Sequence, residues 1–176
     1  MDYKRPTLNT VLSWEADDVV HAFSKTLGIK LEETKAIFSE FKAMMWLMNE
    51  MEFDGEQEQG NRFVIDDSLV ILDEMWHTFI LHTRDYHLFC MRLFGHYVHH
   101  APTTPAQIAQ HREELVGLTD EEKLTKIRDE KRWQYTYTLK NLGRDRFKLW
   151  YEEYHQRYPM HVIMKAKYEQ WCPKEG

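Results

Sequence analysis

LVILDEMWHTFILHTRDYHLFCMRLFG, residues 69–95, holds two helical faces and the break between them. Leu69, Leu72, Met75, Trp76, Phe79 and Ile80 recur at three- and four-residue spacing. At about 100° per residue this lays them along one buried face. Asp73 falls inside that apolar arc, and His77 lies at its edge one turn later. A carboxylate aimed at a core must be hydrogen-bonded, paired or metal-bound. A straight helix through the whole stretch would put His77 and Cys90 on nearly opposite sides. Thr83 offers the break, because its short hydroxyl side chain can cap a second helix, with Asp85 in the favourable first turn. Two helices then meet at a tight corner, the second closing at Gly95. Tyr86 and Cys90, at i and i+4, share one face of it, and the corner can turn that face toward Asp73 and His77.

Outward from this corner the chain reads as helices separated by short punctuation. Before it, Val19, Val20, Phe23 and Leu27 mark an amphipathic helix that stops at Gly28. A longer helix is predicted from about Leu31 to Phe53. Its apolar positions Ile37, Phe41, Met44, Met45, Met48 and Met51 are so numerous that it belongs at the centre of the bundle. DGEQEQGN (54–61) is a solvated turn, since its acidic groups lack the ligand spacing of a calcium loop. After a short extended FVI (63–65), Asp66 or Asp67 is placed to cap the next helix.

After the corner, APTTP (101–105) breaks the chain, and Pro105 suits the first turn of a helix that ends at Gly117. Thr119 and Glu122 form a capping-box signature, opening a helix that ends near Gly143. Phe147, Trp150, Tyr151, Tyr154 and Tyr158 then form one apolar stripe of core type, stopped by Pro159. The tail from Met160 fits either a short strand or a helical turn. The expected architecture is a single all-α domain over residues 1–176, an irregular bundle of six or seven helices.

Composition narrows the function classes. The hydrophobic fraction of 43% and aromatic fraction of 14% support a packed core. Cys90 and Cys172 alone make no disulfide framework, which points to a reduced, cytoplasmic chain. There is no signal-like apolar start and no run long enough for a membrane span. Residues 1–100 hold 9 Lys/Arg against 17 Asp/Glu, while residues 101–176 hold 14 against 12. The overall charge of −6 argues against a nucleic-acid binder. A partner, whether protein or small molecule, is left unnamed.

Six of the ten histidines lie between His77 and His100. Three chemistries fit the residue types. His77, Cys90 and His100, with Asp73 as a fourth ligand or as the carboxylate orienting His77, could hold zinc or another late transition metal. This spacing matches no short metal motif such as HExxH or paired CxxC. A buried polar network is the second reading: Asp73 accepts from His77, Trp76 or Tyr86, and Cys90 packs as a small apolar group. That reading, the leading one, makes the chain a helical binding or interaction module; the alternative, from the metal site, is a metal-dependent enzyme using His77, Cys90 and His100 around an open coordination position. In the third, Cys90 is a nucleophile with His77 as base and Asp73 as orienter, though no oxyanion-hole element accompanies them.

The pattern Asp73, Trp76, His77, Leu81, Tyr86, Cys90 and Gly95 resembles the glycine-rich-domain-containing-protein-like family of plants and bacteria. Ile80, Thr83, Phe89, Phe94, His100 and Pro102 add to the likeness with its bacterial form. The resemblance covers about thirty residues closely and implies an all-helical domain. Plant members carry a second histidine where this chain has Phe79. The glycine-rich portion has no counterpart in a chain with seven glycines.

Overall fold

Helix α3, Leu31–Phe53, is the element around which the others are laid in the computed structural model, which describes residues 4–101 and 105–172. No glycine or proline interrupts it, and Glu32 and Glu33 sit in its first turn, where negative charge favours the helix dipole. Ile37, Phe41, Met44, Met45, Leu47 and Met51 are buried, but so are Glu40, Lys42, Asn49 and Glu50. Burial nearly all round is the mark of a central helix. It packs against α1 (Leu8–Leu12), α2 (Asp17–Leu27), α4 (Val70–Leu81) and α7 (Asp120–Lys148).

The polar groups on α3 are fasteners between elements. Glu40 accepts from Arg146 Nε at 3.0 and 3.1 Å and from the Trp150 indole at 2.8 Å, tying α3 to the C-terminal half of the chain. Lys42 donates to the Leu12 and Trp14 carbonyls, satisfying the open end of α1, and lies over the Phe38 ring. Arg5 binds Glu50 and Asp54, fixing the N-terminal arm along the same helix.

α5 (Thr83–Leu93), α6 (Pro105–Glu114) and α9 (Met160–Trp171) complete seven helices of ten or more residues among those described. The all-α class follows directly. No described helix is long and apolar enough to cross a membrane. Gly28 ends α2 with φ 64°, and Thr119 with Glu122 forms the reciprocal capping box of α7. Gly143, at φ 83° and ψ 174°, interrupts α7 where the sequence places a helix end. Beyond Lys148 the helix widens to a π turn over Leu149–Tyr154, followed by the short α8, His155–Arg157. The aromatic stripe is only partly core: Trp150, Tyr154 and Tyr158 are buried, whereas Phe147 and Tyr151 are half-buried.

Three local expectations need correction. Thr83 does not cap α5. It is the first helical residue, preceded by His82 as N-cap, and no side chain caps there. The Asp66 carboxylate accepts from Ser68 ahead of α4 instead of capping it, and Leu69 occupies the cap position. The tail after Pro159 is α9, a full helix packed on α2. The extended 63–65 segment pairs with a side chain rather than a strand. Val64 N–H donates to Gln134 Oε1 and Gln134 Nε2 donates to the Val64 carbonyl, at 2.8 and 3.0 Å.

Candidate metal centre

α4 is built by its apolar face, with Leu69, Leu72, Met75, Trp76 and Phe79 all buried against α3 and α2. A hydrogen bond to the Phe79 carbonyl ends it: His82 N–H donates there at 3.0 Å, and Tyr86 N–H donates to the His82 carbonyl at 3.0 Å to open α5. His82 is thus the hinge residue of the corner. Its φ of −84° and ψ of 59° leave the helical region for one residue. α5 closes where Phe94 and Gly95 N–H both donate to the Cys90 carbonyl, with Gly95 at φ 79°. That positive φ turns the following segment back across α4.

One polar chain holds this return. The Trp76 indole donates to the Tyr86 hydroxyl at 2.9 Å, and that hydroxyl donates to the Val98 carbonyl at 2.6 Å. The first bond is buried and the second partly so, and together they fix where residue 98 lies relative to α4. Two residues later, the His100 ring stacks on Trp76 with centroids 4.3 Å apart and planes 16° from parallel. Its Nε2 then reaches His77 Nε2 at 2.9 Å and Asp73 Oδ1 at 3.2 Å. His77 Nδ1 lies 3.6 Å from Asp73 Oδ2.

Asp73, His77 and His100 therefore converge, each offering one donor atom within 4.8 Å of the others. Among the described residues no other group of three metal-ligating side chains does so. In a tetrahedral zinc site with bonds near 2.0–2.1 Å, donor atoms stand roughly 3.3 Å apart. The separations at His100 Nε2, 2.9 and 3.2 Å, fall just short of that value. The cluster is graded in exposure: His100 and Asp73 side chains are 18% and 24% exposed, and His77 is 50% exposed. Burial pushes His100 below the ordinary imidazole range, Asp73 opposes this, and His77 adds to it. A neutral imidazole is the form that binds metal.

The sequence-predicted residues separate into two groups. Asp73, His77 and His100 meet; Cys90 does not join them. Its thiol is fully buried, and burial pushes its pKa up, opposed by hydrogen bonds with the Val98 backbone and the Tyr86 side chain. A protonated, inward-facing thiol is neither a metal-binding thiolate nor an activated nucleophile. The expected single Asp–His–Tyr–Cys network is thus two: Trp76–Tyr86–Val98 with Cys90 inside, and Asp73–His77–His100 at the surface. Asp73 is bonded to neither Trp76 nor Tyr86, and its place at the edge of the apolar face leaves it half-buried. Pro102 lies outside the described residues.

Other histidines take separate places. His96 is half-buried with Nε2 3.5 Å from Glu52 Oε2. His87 and His99 are exposed. Sequence reasoning did not reach Val98, whose contribution is a backbone carbonyl and leaves no residue-type signal.

A family profile described as UCP032817-like matches residues 19–123, more than half of the chain and all three converging residues. The chain belongs to the UCP032817-like family. No curated protein and no solved structure matches it. The matched span runs from α2 through the corner to the first turn of α7, so the scaffold of the cluster lies wholly within the family region.

Proposed function

We propose that this chain is a helical metal-binding domain whose centre is formed by Asp73, His77 and His100, with zinc or another late first-row divalent ion as the ligand. One observation carries the reading. His100 Nε2 meets two partners at once, the His77 Nε2 ring nitrogen at 2.9 Å and the Asp73 Oδ1 acceptor at 3.2 Å. A neutral ring has at most one proton on that nitrogen and cannot serve both. A cation between the three groups satisfies all of them together. Two imidazoles and a carboxylate suit zinc, iron or nickel rather than calcium or magnesium.

The half-exposed His77 leaves one side of the cluster open to solvent. A metal held there keeps a position for water or an anionic group. Lewis-acid assistance to hydrolysis is the chemistry that such a centre offers. The test is elemental analysis of tag-free protein, followed by zinc titration in a calorimeter. Stoichiometric zinc is expected, lost in His77→Ala and in His100→Ala. His77→Ala should retain the wild-type circular dichroism spectrum, because the side chain is half-exposed. Absence of stoichiometric binding under zinc titration would overturn the proposal.

A further inference from the structure

Independently of the metal reading, we infer that the cleft between α3 and residues 96–99 is a small-molecule site for an amino-bearing heteroaromatic ring of nucleobase size. The cleft has a volume of ≈ 640 Å³, within the range of sites that enclose small ligands. Its apolar lining is Met45, Met48, Met51, Phe63, Tyr97 and Val98. Methionine thioethers and ring edges attract aromatic faces, and the unbranched Met side chains re-pack around different shapes.

The polar side of the cleft specifies the ligand's hydrogen-bonding sense. Asn49 is 4% exposed and forms part of the wall. Its Nδ2 donates to the Lys4 carbonyl at 3.3 Å, which leaves Oδ1 as the remaining acceptor. That buried oxygen accepts no hydrogen bond. An unsatisfied buried acceptor costs about 1–3 kcal/mol. Of the unsatisfied buried side-chain atoms among the described residues, Trp14 Nε1, Glu50 Oε1 and Asn49 Oδ1, only the last belongs to the cleft wall, where a ligand donor reaches it once the neighbouring methionines re-pack. One helical turn away, the Glu52 carboxylate also lines the cleft, with His96 Nε2 at 3.5 Å. Two acceptors beside an apolar floor suit ring N–H and exocyclic amino donors. Arg62, also in the lining, places a cation where an anionic substituent of such a ring would sit.

The experiment follows methionine methyl signals by NMR while adenosine, guanosine and their 5′-monophosphates are added separately. Saturable shifts of the Met45, Met48 or Met51 methyls are expected with at least one of the four. Asn49→Leu should weaken that binding about tenfold, the worth of one hydrogen bond of about 1.4 kcal/mol, while its melting temperature stays level or rises. Met48→Trp, which fills the cleft, should abolish the shifts in a protein that still folds. A monophosphate that binds tighter than its nucleoside, with Arg62→Gln removing the difference, assigns the anionic group to Arg62; equal affinities assign the ring alone. Methionine signals unmoved by all four compounds would overturn the inference, as would undiminished binding to either Asn49→Leu or Met48→Trp.

Discussion

Tyr86 has the largest single influence on the corner, because its hydroxyl is acceptor for Trp76 and donor to Val98 at once. In Tyr86→Phe the buried Trp76 N–H loses its acceptor, while the half-buried Val98 backbone keeps the Cys90 thiol as a partner. A loss of about 1–3 kcal/mol is expected from the one unsatisfied buried donor, read from urea unfolding curves. A loss below about 0.5 kcal/mol would mean that water replaces the hydroxyl. The two cysteines give a second test at this scale. Cys172 is exposed and Cys90 is buried with its pKa raised. A thiol reagent should therefore label one cysteine quickly and the other only after denaturation. Fast labelling of both would restore Cys90 as a reactive group. The residue scale is also where the sequence was partly legible. That Asp73 and His77 lie one turn apart, with His77 at the rim of an apolar face, could be read from periodicity; Asp73, expected inside that arc, sits at its edge and is half-buried. The separation of Cys90 from them could not be read, because it depends on which way α5 rotates at His82. Neither could the unsatisfied oxygen of Asn49, which turns on a contact with the Lys4 backbone 45 residues away in sequence.

At the scale of elements, local chemistry decided the boundaries that it could reach. Gly28, the Thr119–Glu122 box and Gly143 all act through their own backbone or through a bond spanning three residues, and all three were readable. Thr83 misled because a capping side chain competes with the tertiary demand that α4 and α5 turn sharply, and the turn was made at His82 instead. The tail was ambiguous because MHVIMKAKYEQW has a weak apolar face; only Ile163 among its described residues is buried, and packing on α2 decides the helix. The π turn at Leu149–Tyr154 leaves no composition signal either. Gly143 supplies the test for this scale. Its φ of 83° with ψ of 174° lies in a region open essentially to glycine alone. No neighbouring atom would obstruct a Cβ there, so Gly143→Ala isolates the backbone term. It should destabilise by about 1–3 kcal/mol, seen as a lower urea midpoint with an unchanged slope. A stability equal to wild type would show that the break moves to another residue without cost.

For the molecule as a whole, the buried charges on α3 decide how the N-terminal and C-terminal halves are joined. Glu40 is the link from α3 to Arg146 and Trp150, across more than a hundred residues of chain. Removing one member of such a buried set leaves an uncompensated charge, so Glu40→Ala should cost about 3–5 kcal/mol. Urea unfolding gives the cost, and the Trp150 indole N–H resonance is the direct readout, since it loses the carboxylate. Lys42 governs the alkaline behaviour. The residue is 6% exposed, and burial pushes its ammonium down to about 8 from an ordinary 10.5, with Glu15 opposing weakly. Above about pH 8 the folded chain releases this proton while the unfolded chain keeps it, so the unfolded state binds more protons and stability rises with pH. The rise should be visible from about pH 8 to 9. Beyond that Cys90 and then Tyr86, Tyr137, Tyr154 and Tyr158, all raised by burial, act in the opposite direction. These groups hold protons in the folded state that the unfolded state has lost, and stability turns down again. Lys42→Met removes the ammonium but not the thiol or the phenols. Its melting temperature should therefore stay flat from pH 8 to 9 and fall from there, and a wild-type-like rise in this variant would place the titrating group elsewhere.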